Sequence, residues 1–430
     1  MTKEYTLRVY PITSEAPTHS VAPTVNVSFR KEIPHIPSTT YSVFSLYRYP
    51  AKFIPQAVAY VIERYATPTT RVLDPFAGSG TTGLVARLYG LGYELWDLNP
   101  LLGVLHEIAI MRPPSLDPEA VVSRMKRTRR TWRPKWAGLD YWYPEQALEL
   151  LEKAWGYYHS LDDKPLRLLI TVPLLKLSKL LSYNDPQRQK LSRSPKAVER
   201  VKELLQGDYR ARFYNLFREE LVSVLAKLRE YQRRMEGVLP PQSRVLGGVD
   251  SIEMARALPQ DAAWDMLITS PPYLQAQEYI RYSKLELYWL GYSEEEVRQL
   301  GKRELPYQKV EPFPIHSEQY EAIRSQIEEP HLRAMYERYF HGVLGTLTRL
   351  SERVEGYLCL FVGRATVRGK RVPIDAIFEE HFKRLGWVHE ATLVDEIRAR
   401  VMFRSSLNPA TGIEDHRMPT EHMVILKRRE

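Results

Sequence analysis

The stretch LDPFAGSGTTG, Leu73 to Gly83, is the segment that decides the fold. It starts in the hydrophobic run RVLDPF, passes through Gly78, Gly80 and Gly83, and continues into the helical pattern TTGLVARLYG. Glycines let a backbone approach a ligand that a Cβ would exclude, and a helix N-terminus presents unpaired N–H groups. The stretch therefore predicts a strand, a ligand-binding turn and a helix, although a merely tight strand-to-helix turn would have the same sequence.

The segments on both sides continue this alternation of helix and strand. PQAVAYVIERY has helical spacing before the glycine turn, and YELWDL is typical of a second strand after it. Strand patterns return in SRVLGGVD, WDMLITS and GYLCLFVG, and helical patterns in PHLRAMYERYFHGVLGTLTRL and PIDAIFEEHFKRLG. WVHEATLVDEI and EHMVILKR are candidates for the last two strands. The alternation predicts an α/β fold around a parallel sheet.

A mainly helical segment interrupts the alternation between the proline pairs at 113–114 and 240–241. Its clearest helical patterns are PEQALELLEKAWGYY, SPKAVERVKELL and FREELVSVLAKLREYQRRMEG. The first forty residues are rich in Pro, Thr and Ser and show no sustained period. We therefore predict an extended N-terminal arm over residues 1–40, an α/β domain formed by 41–114 and 240–430, and a basic helical insertion over 115–239.

The net charge of +9 is concentrated in the insertion, where 25 Lys and Arg face 16 Asp and Glu between Ser115 and Leu239. A localised surplus predicts a polyanion-binding face, with a solvated basic helical surface as the equal alternative. The candidate contacts are Arg124, Lys126, Arg127, Arg129, Arg130 and Arg133. Trp132 and Trp136 lie among them and would either stack on exposed bases or pack inside the fold. Residues 182–196 and the polar loop 398–417 are further candidates.

Composition excludes several classes of protein. No apolar run is long enough to span a bilayer, and the N-terminal residues lack the hydrophobic stretch of a signal peptide, so we expect a cytoplasmic protein without a membrane partner. The single cysteine, Cys359, lies in an apolar strand pattern. It excludes disulfides within the chain and clustered-cysteine zinc sites, and we expect no metal.

Two carboxylates refine the prediction for the glycine turn. Asp74, at the tip of the first strand, can bind the ammonium group of an amino-acid moiety, which nicotinamide cofactors lack. Asp97, at the end of the next strand, can accept both hydroxyls of a ribose, although an Asp there is also a common helix cap. In combination with the glycines, the two acids favour an adenosine-containing cofactor that carries an amino acid.

The second candidate site is DMLITSPPY, Asp265 to Tyr273, a hydrophobic strand that stops at Ser270, Pro271, Pro272 and Tyr273. The prolines remove two donors and leave the carbonyls of the turn as acceptors. Acceptors at Ser270 Oγ and the Pro271 carbonyl suit an amino group conjugated to a base ring, because hydrogen bonds from its N–H groups free its lone pair for attack. A plain strand terminator with a packing Tyr is the alternative.

DPFAGSGTT followed by TSPPY resembles the cofactor and catalytic motifs of the DNA amino-methyltransferases, whose SPPY variants mostly modify cytosine N4 and whose DPPY variants modify adenine N6. The resemblance implies a Rossmann-like methyltransferase sheet interrupted by a mainly helical insertion, with S-adenosylmethionine as cofactor. It also implies double-stranded DNA as substrate, with the target base flipped out, and a possible cognate restriction endonuclease. About 190 residues separate the two motifs, and the resemblance implies that such an insertion recognises the target.

The resemblance extends beyond the two motifs, since EYIRYSKLELYWLG after the SPPY turn and the terminal EHMVILK also match the family scaffold. YRYPAKFIPQAV is similar to the family segment that closes over the methionine part of the cofactor, which places Lys52 and Phe53 near it. GGVDS resembles the strand end whose Asp, here Asp250, meets the cofactor adenine. The glycine turn contributes the remaining cofactor candidates, which are Asp74, Phe76, Gly78, Gly80 and Thr81.

Other functions remain open at this point. A cytosine C5 methyltransferase is disfavoured because its covalent route needs an exposed thiolate. An adenine N6 methyltransferase and an RNA base amino-methyltransferase would have nearly the same motifs. A catalytically silent nucleic-acid-binding subunit is the alternative from another class.

Overall fold

The structure is a computed structural model that describes residues 24–50, 52–188, 190–274, 278–363, 365–396 and 420–429. Its strands are β1 Thr24–Val27, β2 Arg71–Asp74, β3 Gly92–Asp97, β4 Ser243–Gly247, β5 Trp264–Thr269, β6 Val354–Gly363, β7 Ala365–Val367, β8 Lys370–Val372, β9 Val388–Glu396 and β10 Thr420–Lys427.

The helices before β4 are α1 Phe29–Glu32, α2 Pro55–Tyr65, α3 Thr81–Leu88, α4 Leu101–Ile110, α5 Pro118–Arg127, α6 Leu139–Trp142, α7 Glu145–His159, α8 Lys164–Leu180, α9 Pro195–Leu204 and α10 Tyr209–Arg234, with a short 3₁₀ helix at Ser42–Ser45. After β4 follow α11 Ser251–Arg256, α12 Tyr279–Tyr282, α13 Lys284–Trp289, α14 Glu294–Lys302, α15 Glu318–Gln326, α16 Pro330–Ser351 and α17 Ile374–Arg384.

Eight strands form one sheet in the order β1-β9-β10-β6-β5-β2-β3-β4. All neighbours are parallel except β10, which is antiparallel to both β6 and β9. From β2 the chain proceeds outward through β3 and β4, then returns to the other side of β2 with β5 and β6. The strand order therefore reverses between β2 and β5, which is where open α/β sheets bind ligands at their carboxyl edge.

Each face of the sheet is covered by its own hydrophobic cluster. One cluster joins α2, α3 and α4 with the helices of the insertion and includes Val72 and Ile268 from the sheet. The other joins α16 and α17 with Leu73 and Leu267. Alternate residues of β2 and β5 thus face opposite sides, as expected of central strands buried on both faces.

These observations confirm the predicted α/β sheet with its helical insertion. The helix predicted from PQAVAYVIERY is α2 with the same bounds, and both predicted C-terminal strands are present as β9 and β10. The predicted arm differs in its last part, because residues 24–27 pair with β9 at the sheet edge and α1 follows directly. The insertion shares a hydrophobic cluster with the sheet, so it packs against the α/β core. The division into domains stays a prediction.

Candidate active site

The tips of the neighbouring strands β2 and β5 are joined through Asp74. Its Oδ1 accepts a hydrogen bond of 2.6 Å from Thr269 Oγ1, and its Oδ2 accepts one of 2.6 Å from Thr82 Oγ1. The N–H of Phe76 donates a third bond, of 3.1 Å. Burial raises the pKa of Asp74 to about 6 against the opposing effect of these hydrogen bonds. Asp74 therefore connects the glycine turn to β5, the strand that precedes the SPPY turn.

One cavity, with an empty volume of about 830 Å³, lies at this edge of the sheet. It brings together eight of the residues predicted from the sequence, namely Lys52, Phe53, Phe76, Gly78, Asp97, Asp250, Ser270 and Pro272. The glycine turn and the SPPY turn thus face a common cleft. Asp74, Gly80, Thr81, Pro271 and Tyr273 are not among the lining residues, and their direct contact with ligands stays a prediction.

The three glycines of the turn are required for different reasons. Gly78 has φ +55°, and a Cβ there would lie 3.3 Å from the ring of Tyr49 across the cavity. Gly80 has φ +80° and precedes α3, where a Cβ would meet Leu102. A Cβ on Gly83 would lie 2.6 Å from Leu95, so this glycine permits close packing of α3 on β3. Only the first of these positions faces the ligand space.

Asp97 is held rigidly at the tip of β3. Its Oδ2 accepts a 2.8 Å hydrogen bond from the N–H of Gly78, and its Oδ1 accepts one of 2.7 Å from the N–H of Asn99. Burial raises the pKa of this carboxyl to about 7, although both hydrogen bonds favour the charged form. A carboxylate fixed in this way and facing a cavity is suited to accept hydrogen bonds from ligand hydroxyls.

Asp250 and Gln308 form a polar pair at the cavity wall. Asp250 caps α11, with Oδ1 accepting from the N–H of Ile252 at 2.9 Å, while Oδ2 accepts from Gln308 Nε2 at 2.6 Å. Within the described part of the chain, Oε1 of Gln308 is buried without a hydrogen-bond partner. An unpaired buried acceptor costs about 1–3 kcal/mol, so a ligand amino group would satisfy it. The pair fits the adenine end of the expected cofactor.

Lys52 and Phe53 lie where the segment before α2 meets the cavity. Lys52 Nζ donates a short hydrogen bond to the carbonyl of Phe44. Burial, together with the charge of Lys227, lowers the pKa of the Lys52 ammonium to about 7. Phe53 stacks on Phe361 with ring centroids 4.9 Å apart. A carboxylate in the cavity would favour the charged form of Lys52, which fits the methionine part of the expected cofactor.

The four residues of the SPPY turn have different environments. Ser270 and Pro272 line the cavity, and Pro271 is buried. Tyr273 donates a hydrogen bond of 3.1 Å from its hydroxyl to Oε1 of Glu421 at the start of β10. The stacking role expected for Tyr273 therefore stays a prediction, and its hydroxyl has a contact that the sequence did not indicate.

Several residues without a predicted role line the same cavity. Tyr49 and Tyr279 face each other with centroids 6.3 Å apart and planes at 15°. Glu304, which follows α14, accepts a 2.8 Å hydrogen bond from the N–H of Ile280. Burial raises the pKa of Glu304 to about 8. Tyr49 and Tyr279 lie in segments already matched to the family, whereas Glu304 lies in a stretch without a readable motif.

The predicted basic cluster is exposed, but one of its members is neutralised. Arg133 forms ion pairs of 2.6 Å with Asp140 and 2.7 Å with Glu152. The other five candidates are exposed on α5 and the segment that follows it, which are Arg124, Lys126, Arg127, Arg129 and Arg130. These five residues form an exposed basic surface of the kind that binds polyanions. Binding of DNA by this surface stays a prediction.

The two tryptophans of this cluster pack within the fold. Trp132 lies 4.0 Å from His159, and Trp136 stacks on Tyr288 at 4.5 Å, both measured between ring centroids. These contacts favour the packing alternative over base stacking. Of the other basic candidates, Arg193 lies over the rings of Tyr141 and Tyr183. The polar loop 398–417 lies outside the described residues.

Two absences concern the described residues alone. Their acidic, histidine and cysteine side chains form no cluster of three or more that would hold a metal ion. Among their helices, none is both long and apolar enough to cross a membrane.

The fold and the cavity define a Rossmann-like methyltransferase architecture. Comparison with known proteins agrees with this class. Residues 15–97 match the model of the N6/N4 DNA methylase family, described as DNA methylase, and this match includes the glycine turn and Asp97. No solved structure is significantly similar to the chain.

The chain is also distantly homologous to two type II methyltransferases. It is 25% identical to M.BsoBI of Geobacillus stearothermophilus over an alignment of 301 residues that covers 64% of this chain and 58% of that protein. It is 23% identical to M.MvaI of Kocuria varians over an alignment of 417 residues that covers 88% of this chain and 89% of that protein. The chain thus spans less than two thirds of the first relative and most of the second.

Proposed function

We propose that the protein is an S-adenosylmethionine-dependent DNA methyltransferase of the restriction-modification type that methylates the exocyclic N4 of cytosine. The observation that carries the proposal is the shared cavity, in which Gly78 and Ser270 lie at neighbouring strand tips. The match to the DNA methylase family and the similarity to two type II methyltransferases support the reaction class.

Different residues of the cavity suit different parts of the cofactor. Asp97 would accept hydrogen bonds from the ribose hydroxyls, and Asp250 with Gln308 would bind the adenine amino group. Lys52 would pair with the amino-acid carboxylate. When bound, S-adenosylmethionine supplies a sulfonium methyl group whose carbon accepts the electron pair of the attacking nitrogen while the C–S bond breaks and its electrons pass to sulfur.

The SPPY turn would orient the acceptor nitrogen. Ser270 Oγ and the Pro271 carbonyl would each accept a hydrogen bond from the amino group, so that its lone pair leaves conjugation with the ring. Positioning of the reacting atoms accounts for most of the rate enhancement. No strong base is required, because the methylated nitrogen is acidic enough to lose its proton to solvent. The base must first leave the duplex, at a cost of a few kcal/mol.

Cytosine N4 is favoured over adenine N6 by Ser270, since the adenine-specific variants of the motif carry Asp at this position. The experiment is transfer of radioactive methyl from S-adenosylmethionine to duplex DNA, with tRNA and rRNA as competing substrates, followed by methylome sequencing of a host that expresses the protein. Labelled N4-methylcytosine at one sequence context is the expected result. Label in adenine, or in RNA alone, would identify one of the alternative enzymes, and no binding of cofactor would indicate a silent subunit.

A further inference from the structure

A half-buried and a buried carboxyl group face the cavity from separate elements. Asp97 lies at the tip of β3, and Glu304 lies between α14 and α15 with a relative exposure of 7%. Burial is the main reason that the pKa of Glu304 is raised to about 8, and the charges of Glu278 and Asp97 raise it further. The two acids therefore lie close enough for the charge of one to affect the other.

Glu304 has a second contact that links it to the catalytic turn. It accepts hydrogen bonds from the N–H groups at the start of α12, including the 2.8 Å bond from Ile280. This helix begins six residues after Tyr273. A carboxylate is a good hydrogen-bond acceptor for the N–H groups at the start of a helix. Glu304 thus contacts both the cavity and the segment after the SPPY turn.

Among the residues that the structure describes, few positive charges lie around the two acids. The ionisable groups that interact with Glu304 are Asp97 on β3, Glu278 and Tyr279 at α12, Tyr49 before α2, and the neighbouring Tyr307. Asp97 also interacts with Asp74. Lys52 and Arg303 line the same cavity, but Arg303 is exposed to solvent. Negative charge on both carboxyls of one cavity is unfavourable, and a cationic ligand bound in the cavity would offset that cost.

We propose that Asp97 and Glu304 make the cavity selective for a ligand with additional positive charge, so that it binds the sulfonium cofactor more tightly than the neutral thioether product. The inference rests on the proposed function, because it assumes that S-adenosylmethionine occupies this cavity. The cofactor carries one positive charge more than S-adenosylhomocysteine, while the amino, carboxylate, ribose and adenine groups are common to both. Loss of this charge during methyl transfer would then weaken product binding and assist product release.

The test compares the two ligands by isothermal titration calorimetry on the full chain between pH 6 and 9. In the wild type, the ratio of the dissociation constant of S-adenosylhomocysteine to that of S-adenosylmethionine should rise with pH as the acids ionise. Glu304→Gln should lower this ratio about tenfold at pH 8 and flatten its pH dependence. The sulfonium charge lowers the pKa of the ligand amino group, so this group titrates differently in the two ligands, but the difference is the same for wild type and variants and cancels when their ratios are compared at each pH.

Glu311→Gln is the matched control, since Glu311 is exposed in the same segment. It should leave the ratio unchanged. Asp97→Asn is the second variant and should also lower the ratio, so the test remains possible if Glu304→Gln fails to fold. Circular dichroism and thermal unfolding establish the folded state of each variant.

The outcomes separate this inference from the proposed function. A wild type that binds neither ligand would overturn the proposed function itself. A wild type that binds both, with a ratio unaffected by Glu304→Gln and Asp97→Asn, would overturn the charge selectivity alone. Equal loss of affinity for both ligands would also overturn it, since Glu304 would then act only by holding α12.

Discussion

Oγ1 of Thr269 donates a hydrogen bond of 2.6 Å to Oδ1 of Asp74. The donor immediately precedes the SPPY turn, and the acceptor begins the glycine turn. Both side chains are buried, so the bond is shielded from water. The two loops that would bring methyl donor and acceptor together are thus fixed to each other at their bases.

Thr269→Val should destabilise the protein and weaken cofactor binding together. Valine keeps the shape of threonine but lacks the hydroxyl, so a buried carboxyl oxygen loses a donor. The expected loss is about 1–3 kcal/mol in the free energy of unfolding, measured by urea denaturation. Thr269→Ser retains the hydroxyl and serves as the control. Equal stability of the valine and serine variants would show that the bond contributes nothing.

Ser270→Ala should lower turnover about a hundredfold while leaving the dissociation constant of the cofactor near the wild-type value. The serine hydroxyl is expected to contact the target amino group and not the cofactor. Asp74→Ala should instead reduce cofactor affinity, because Asp74 holds the glycine turn through Phe76 and Thr82. Single-turnover kinetics and equilibrium binding distinguish the two effects. Parallel loss of both quantities in both variants would contradict this division of roles.

Two variants at the same turn separate the ring of Tyr273 from its hydroxyl. Tyr273→Ala should lower turnover with near-normal cofactor affinity, since the expected stacking on the base is lost. Tyr273→Phe keeps the ring and removes the hydroxyl that bonds to Glu421. If the phenylalanine variant is as impaired as the alanine variant, the hydroxyl contact matters more than stacking.

Gly83→Ala should destabilise the fold, whereas Gly103→Ala should not. A Cβ at Gly83 would lie 2.6 Å from Leu95 and 2.8 Å from Tyr93, so α3 would have to shift away from β3. Overpacking of this kind costs about 1–3 kcal/mol. Gly103 lies in α4 with no atom within 4 Å of the added Cβ, and alanine there should stabilise by up to about 1 kcal/mol. Thermal unfolding of both variants measures the contrast.

Charge reversal at Arg129 and Arg130 should weaken DNA binding and reduce its dependence on salt. Each lost phosphate contact lowers the slope of log K against log salt by about 0.9. Arg133→Glu should change the slope less, because Asp140 and Glu152 already neutralise Arg133. Binding measured at several salt concentrations provides the slopes. An unchanged slope in the double variant would assign the DNA-binding face to another part of the surface.

The cofactor-free protein should lose stability as pH rises from 6 to 9 because of its buried acids. Burial raises the pKa of Asp74 to about 6, of Asp97 to about 7 and of Glu304 to about 8, whereas carboxyls of unfolded chains titrate near 4. The folded chain therefore binds more protons than the unfolded chain in this range, and its free energy of unfolding falls with increasing pH.

The lowered pKa of Lys52 makes the free energy of unfolding rise with pH above pH 7, opposite to the effect of the acids. The prediction is therefore tested on the difference in melting temperature between wild type and Asp97→Asn. Melting temperatures from scanning calorimetry at each pH give this difference. The variant should show a shallower decline, and saturating cofactor should reduce the decline in the wild type. An identical pH profile for the two proteins would contradict the prediction.

The sequence predicted the sheet well because its central strands are buried on both faces and read as continuous apolar runs. The short apolar run that became β2 and the periodic run that became α2 each contain enough local information to be assigned. Helix α8 was less evident, since Pro173 lies inside it and such a proline normally ends a helix. Tertiary packing of its buried leucines supplies the stability that local preference lacks.

Site residues were predictable only where a recognisable motif contains a side chain of suitable chemistry. Asp97 and Ser270 were predicted because each ends a strand pattern, and Asp250 because GGVDS resembles a family segment. All three line the cavity, since the carboxyl ends of parallel strands share one edge. Glu304 and Gln308 reach the cavity from an irregular segment far along the chain, and no local pattern indicates which way such a segment folds. Their roles required the three-dimensional arrangement.

Strand β10 occupies the position between β6 and β9, although it follows both of them in the chain. This half of the sheet is therefore joined by a strand that comes later in the chain than both of its neighbours. Because Glu421 on β10 also bonds to Tyr273, the same strand connects the SPPY turn to the sheet. Any change that weakens the pairing of β10 should therefore disturb the SPPY turn as well.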